Sequence, residues 1–388
     1  MTSKKPDTAQ EAPKKKRSLL SRALTLALVL AAVLAVVVLT TMEDGRHFVS
    51  LRRWLMYGES GGTKDIYAYA ANPDNQYGKL GSSLLVVNPN TVQLLSDDGT
   101  ILYDLPLRMA SPQLSVGRQL AAVCDVGGDT IYILDQNGIS RTLHTENQLR
   151  YFSARLNGSD YLAVTGQKAG YKTSVSVYNG DGALMFDFDS YDNYLSDAVV
   201  TEDRRSLVVV SLEPQNGIFA SKLRVYDMES KQLKSGALIM DGLVMDFHCT
   251  GNRVLSLCDK RFTITTLDGD TLLDRSYGNL YLHDYALTGE DFCALLLGRY
   301  QAGNICTLTT YDMEGEEIAS LELTEEVLDI SAGGKYLAVL YGDRMVVYQR
   351  DLTEFAELEE TDYAGQVHVE PNGSVLMISG SSAWRFLP

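Results

Sequence analysis

The chain has 388 residues, 45% of them hydrophobic, with 34 Lys and Arg against 50 Asp and Glu and a formal net charge of −16. Seven basic and two acidic residues precede residue 23, which leaves 27 basic against 48 acidic groups in the rest of the chain. A surface that acidic repels a phosphate backbone, so nucleic acid is excluded as a partner, and the acidity itself is explained by solubility.

Taken in chain order, residues 1–22 form a polar tail rich in Lys, including Lys4, Lys5, Lys14, Lys15 and Lys16. Residues 23–42 (ALTLALVLAAVLAVVVLTTM) are free of charge, Pro and Gly. Twenty helical residues span roughly 30 Å, the thickness of a bilayer's hydrocarbon core, and a helix satisfies its own backbone there. The run is longer than a signal peptide's apolar region and ends in Thr-Thr-Met-Glu-Asp with no small-x-small cleavage site, which predicts an uncleaved signal anchor. Basic residues outnumber those on the far flank, where only Arg46, Arg52 and Arg53 lie close by. This predicts a cytoplasmic N-terminus and an extracytoplasmic C-terminal domain. Residues 43–62 read as a juxtamembrane linker, with Phe48, Leu51 and Leu55 at helical spacing, Trp54 and Tyr57 suited to the headgroups, and Gly58 and Gly61-Gly62 as a hinge.

From residue 63 to 388 the pattern has the period of a strand. One apolar strand recurs as Leu84-Leu85-Val86-Val87, Leu120-Ala121-Ala122-Val123, Tyr161-Leu162-Ala163-Val164 and Leu207-Val208-Val209-Val210. It continues as Val254-Leu255-Ser256-Leu257, Ala294-Leu295-Leu296-Leu297, Tyr336-Leu337-Ala338-Val339 and Val375-Leu376-Met377-Ile378. A following strand tends to end in Tyr and an acidic or amide residue, as at Tyr226-Asp227 and Tyr311-Asp312. Tight turns come next at Asp98-Gly99, Asn137-Gly138, Asp181-Gly182, Asp268-Gly269 and Glu314-Gly315, with less orthodox ones at Glu229-Ser230 and Arg350-Asp351. The period is about 41 residues, that of a four-stranded propeller blade. The reading is therefore an all-β, eight-bladed β-propeller, with seven blades as the alternative, following one transmembrane helix. The last unit holds only three strands. The segment from Asp65 to Ala70 either completes it or opens the first blade.

The basic tail, the single anchor, the Arg52-Arg53-Trp54-Leu55-Met56-Tyr57-Gly58 segment and the Asp125-Val126-Gly127-Gly128-Asp129 turn together resemble an uncharacterised family of Gram-positive bacterial membrane proteins. The resemblance spans nearly the whole chain and implies a single-pass protein with an extracytoplasmic propeller of unknown function. It carries over no catalytic or binding residue. At the level of fold alone, the blades are also similar to those of quinoprotein and outer-membrane-assembly propellers.

No catalytic, cofactor-binding or metal-ligating constellation can be read. His47, His144, His248, His283 and His368 fall in different units without ligand spacing, and no serine elbow, phosphate loop or His-Glu-x-x-His occurs. Asn179 to Gly182, Asp187, Asp189, Asp192 and Asp268 to Asp270 read as turn chemistry, since no calcium-loop pattern is present. The five cysteines (Cys124, Cys249, Cys258, Cys293, Cys306) lie mostly in apolar runs; a Cys293–Cys306 pair is left open. Of the 22 tyrosines, those repeating at one blade position (Tyr132, Tyr178, Tyr226, Tyr311) predict packing. The non-repeating aromatics Tyr151, Phe152, Tyr191, Tyr194, Tyr281 and Tyr285 are the candidate recognition surface. The function expected is a protein-interaction scaffold or sensor in the cell envelope, binding another envelope protein. A module for cell-wall glycan or a small molecule is the alternative. A quinone-dependent enzyme ranks last, because Trp54 and Trp384 are the only tryptophans.

Overall fold

In the computed structural model, residues 62–144, 149–215, 217–361 and 363–388 are described. The tail and anchor read from the sequence, and all of the linker except Gly62, lie outside them. No helix among the described residues is long and apolar enough to cross a membrane. The described residues form eight four-stranded antiparallel sheets, the blades of a β-propeller. Blades 1 to 7 are consecutive meanders over residues 76–105, 112–144, 151–190, 194–239, 244–276, 281–323 and 327–359. Blade 8 takes three strands from the C-terminus (Gln366–Val369, Val375–Ile378, Ser382–Leu387) and its fourth from the N-terminal side, Gly62–Ala68. Gly62 pairs with Leu387 and Ala68 with Ser382. The ring therefore closes with eight blades, and the segment around Asp65 is the outer strand of the last blade.

Second strands such as Ser83–Val87, Phe292–Gly298 and Tyr336–Tyr341 are buried along their whole length. Each is covered on both faces by neighbouring blades, so continuous apolar runs replace alternation. Alternation reappears in which neighbour is touched. Leu337 and Val339 pack with Leu296 and Leu308 of blade 6, whereas Tyr336 and Ala338 pack with Val375 and Met377 of blade 8. The closing seam is made in the same way, Leu376 and Ile378 meeting Leu84, Val86, Tyr67 and Tyr69. Each buried Leu, Ile or Val contributes about 1.5–3 kcal/mol, so the inter-blade contacts dominate the stability. The repeating Tyr226 and Tyr311 are buried, and Tyr132 and Tyr178 pack partly buried against the cores, which agrees with the packing role.

Among the third-to-fourth-strand turns, Gly99, Gly182, Gly269 and Gly315 hold positive φ between 81° and 97°. In the two unorthodox turns that position falls to Lys231 (φ 58°) and Leu352 (φ 60°). All five cysteines are free and buried. Cys293 lies opposite Tyr311 while Cys306 lies opposite Gly298, near the far end of the same two strands, so the pair left open above does not form.

First strands of neighbouring blades pack against one another in blades 1 to 4 and again in blades 6 to 8. In blades 3 to 7 each carries a bulge, the pairing skipping Phe152, Ser196, Met245, His283 and Leu328. A bulge leaves one residue unpaired and re-aims those that follow. Here the next residues are Ser153, Asp197, Asp246, Asp284 and Asp329.

Candidate functional site

Four of these five post-bulge residues are aspartates, on the first strands of blades 4 to 7. Asp197, Asp246 and Asp284 each accept the N–H of the next residue (Ala198, Phe247, Tyr285) at 2.8 Å. Their remaining capacity reaches across blades. Ser153 Oγ donates to Asp197 at 2.5 Å, the Tyr285 hydroxyl donates to Asp246 at 3.2 Å, and Asp284 accepts the Ile330 N–H at 2.9 Å. Asp329 accepts the Val367 N–H of blade 8 at 2.7 Å. The carboxylates thus bind backbone donors of their own strand and tie the strands of neighbouring blades together.

One cation serves two of them. Arg155, on blade 3, bonds Asp197 of blade 4 at 2.8 Å and Asp246 of blade 5 at 3.0 Å through Nη1, and the Phe247 carbonyl of blade 5 at 3.0 Å through Nη2. Its guanidinium also lies 4.8 Å from the Phe247 ring centroid. Burial works against this charge, yet Asp197 and Asp246 hold its pKa above the ordinary value. Asp284 and Asp329 have no cationic partner among the described residues. Burial raises the pKa of both, that of Asp329 to about 7 with a further push from Asp284 and against the pull of the Val367 and Ile330 N–H groups. His248 and His368 also face the channel. Burial lowers both pKa values, with Arg155 adding to it at His248 and Lys79 at His368.

Cavities lined by first-strand residues are found among the described residues. One of about 300 Å³ lies where blade 8 meets blades 1 and 7, between Tyr77, Lys79, Asp329, Gln366, His368 and Leu376. A second of about 220 Å³ is lined by Arg155, Asp246, His248, Tyr285 and Ser331. The third, about 170 Å³, is lined by Gln113, Phe152, Ser196, Asp197 and Met245.

A second feature lies on one face of the ring. Antiparallel order places the loops between second and third strands, and the links between blades, on the same face; the remaining turns lie on the other. The exposed Val126, Tyr191, Met240, Leu243, Leu280, Tyr300, Ile305 and Tyr363 all belong to the first set, whereas Ile101, Ile139, Leu184, Leu233 and Leu272 are exposed where fourth strands leave the turns of the second. Blade 4 projects furthest. Its central strands Ser206–Gln215 and Ile218–Asp227 outrun both flanking strands, which pair only as far as Leu212 and Ser221. Phe219, 63% exposed, sits on the free end. Beside it, Tyr191 contacts Tyr171 at 4.2 Å between centroids, and Lys172 Nζ lies 5.1 Å from the Tyr194 ring.

The six aromatics singled out from the sequence divide between these features. Tyr191 (64% exposed) and Tyr194 (56%) come together near the projecting hairpin, and Tyr281 (48%) lies on the same face at blade 6. Tyr285 lines the second channel cavity and Phe152 the third, and Tyr151 is packed against the core between blades 2 and 3. Asp197, Asp246, Asp284, Asp329 and Arg155 were not among the sequence candidates. A signal for the aspartates exists: aliphatic-x-Asp-apolar opens four successive blades, at Leu195, Val244, Leu282 and Val327. The acidic turns put forward against calcium are occupied by lysines, Asp189 by Lys168 at 2.7 Å and Asp268 by Lys234 at 2.9 Å.

Residues 63–381 match the family model described as a family of unknown function, DUF5711. The chain belongs to the DUF5711 family. No curated protein matches it. Among solved structures, the DUF5711 propeller is similar to the computationally designed Ika8 protein, at 10% identity and a TM-score of 0.61, covering 84% of this chain and 100% of that one. It is also similar to BamB from Moraxella catarrhalis (11%, TM-score 0.54, covering 84% and 100%) and to the C-terminal WD40 domain of Sif2 (13%, TM-score 0.57, covering 84% and 98%). At such identities the likeness is one of fold.

Proposed function

We propose that this DUF5711 chain is a membrane-anchored, extracytoplasmic interaction scaffold whose loop face receives another protein of the cell envelope. The observation that carries the reading is the group of exposed aromatic and apolar side chains Tyr191, Tyr194, Phe219, Met240 and Leu243 near the projecting hairpin of blade 4. A soluble face has no reason to concentrate such groups unless it is covered, and aromatic anchors are what protein interfaces favour. The anchor rests on the charge-free run 23–42, and the orientation on the basic residues before it.

Crosslinking in intact cells followed by mass spectrometry tests both parts. One partner crosslinked near residues 167–172, 191–194 and 213–220 is expected. The variant Tyr191→Ser with Phe219→Ser should lose that partner at unchanged melting temperature. Crosslinks spread evenly over both faces, or a partner retained by the variant, would remove the loop face from the proposal. Protection of the propeller from external protease in intact cells would remove the topology.

A further inference from the structure

Asparagine followed by glycine occurs five times in the chain, at Asn137, Asn157, Asn179, Asn216 and Asn372. Asparagine is among the thermolabile residues, and a following glycine leaves its backbone nitrogen unshielded by a side chain. The dipeptide is the same at all five positions, but the fold treats them differently. Asn216 lies outside the described residues, which leaves four to compare.

Three of the four have their side-chain amide tied down. Asn157 is 4% exposed; its Oδ1 accepts the Ser159 N–H at 3.0 Å and the Tyr161 N–H at 2.9 Å, and its Nδ2 donates to the Thr201 carbonyl at 3.0 Å. Asn372 Oδ1 accepts the Ser374 N–H at 2.9 Å and the Ser374 hydroxyl at 2.8 Å. Asn179 Oδ1 accepts the Ala183 N–H at 2.8 Å. Asn137 is exposed, in the two-residue turn between the third and fourth strands of blade 2, Thr130–Asp135 and Gly138–His144. Its backbone N–H bonds the Asp135 carboxylate at 2.6 Å, while its side chain makes no hydrogen bond among the described residues. The glycines rank in the same order. A methyl group on Gly138 would meet nothing within 4 Å, whereas on Gly180 it would lie 3.7 Å from Asp160. On Gly373 it would lie 3.0 Å from the Tyr336 ring, and on Gly158 2.7 Å from Glu202 Oε2. Asn137 therefore has both a free amide and open space beside the peptide that follows it.

We infer that Asn137 is a site of spontaneous covalent modification, its side chain closing onto the Gly138 nitrogen and reacting on with water. The Gly138 amide gives its proton to solvent, and its nitrogen attacks Asn137 Cγ. The Cγ–Nδ2 bond breaks, ammonia leaves with a proton from solvent, and a succinimide ring remains. Water then opens that ring at one of its two carbonyls, leaving isoaspartate or aspartate. One water is consumed and one ammonia released, with no change of oxidation state. The product places a second carboxylate beside Asp135. Isoaspartate also adds a backbone carbon to a turn whose length fixes the register of the strand that follows. The turn lies on the face opposite the loops, so the site is independent of the partner surface proposed above.

The test is incubation of the purified full chain in mildly alkaline buffer, once folded and once in urea. Peptide mass spectrometry then follows each asparagine, and isoaspartyl methyltransferase labels the isoaspartate formed. In urea the four sites should convert at similar rates, since each precedes glycine. In the folded protein Asn137 should lead, about tenfold ahead of Asn179 and about a hundredfold ahead of Asn157, whose amides must first break one and three hydrogen bonds. Asn137→Ser should remove most of the folded-state label at unchanged melting temperature, because the side chain it replaces bonds nothing. Conversion at Asn137 no faster than at Asn157 or Asn179 in the folded protein, or a label undiminished by Asn137→Ser, would overturn the assignment.

Discussion

Asp329 shows how a single position can carry both architecture and pH sensitivity. Its carboxyl sits where a bulge turns the chain toward the channel, bonded to the Val367 N–H and pushed by burial to a pKa of about 7. In the unfolded chain it titrates near 4. The folded state therefore holds this proton more tightly. The associated stability is complete below about pH 4 and is lost as the pH rises through 7, by at most about 4 kcal/mol. Asp329→Asn cannot titrate, so wild-type stability should fall relative to the variant between pH 4 and 7. Urea midpoints of the two proteins across that range check it, and parallel curves would contradict it. The inner aspartates escape a reading of the sequence for a physical reason. A bulge shifts the strand register by one residue, so alternation no longer says which side chains face the channel. Arg155 is harder still, because its partners Asp197 and Asp246 lie on two other blades.

At the scale of the strand and turn, far more was legible. Second strands buried on both faces announce themselves as unbroken apolar runs, and Asp-Gly or Asn-Gly after a third strand marks the hairpin directly. The turn at Glu229-Ser230 lacks that signature, yet it folds the same way: the Asp227 carboxylate accepts the Ser230 N–H at 2.7 Å, and Lys231 takes the left-handed position at φ 58°. A side chain there is strained by roughly 1 kcal/mol or more, which glycine avoids. Lys231 also reaches Asp187 at 3.7 Å, an exposed pair with little effect on stability. Lys231→Gly should accordingly stabilise the protein by about 0.5–1 kcal/mol, read as a higher urea midpoint at unchanged slope. A lower midpoint would mean that the Lys231 side chain matters more than the strain. The projecting hairpin of blade 4 was not legible, because its extra length resembles an ordinary strand until its flanking partners are seen to stop short.

The whole molecule differs from a row of repeats in having no ends. Every core is shared by two blades, and the last is shared between Leu376 and Ile378 of blade 8 and Leu84 and Val86 of blade 1. A linear array can fray from its termini, because each repeat depends only on its neighbours. A ring forbids this as long as the strand Gly62–Ala68 stays paired with Ser382–Leu387. Whether that strand closed blade 8 or opened blade 1 could not be decided from the sequence, since either position gives the same alternation. Two truncations of similar size separate closure from simple loss of core. Phe262→Ala opens a cavity in the core between blades 5 and 6, away from the seam, whereas Tyr67→Ala opens one in the closing seam itself. Each should cost about 3–5 kcal/mol. Calorimetry should find Phe262→Ala still unfolding in one sharp transition, merely at lower temperature, because its ring remains closed. Tyr67→Ala should broaden the transition, with the calorimetric enthalpy exceeding the van't Hoff value, as blades 8 and 1 part before the rest. Equal sharpness in both variants would place the cooperativity in the shared cores alone and leave the closing strand no special part in it.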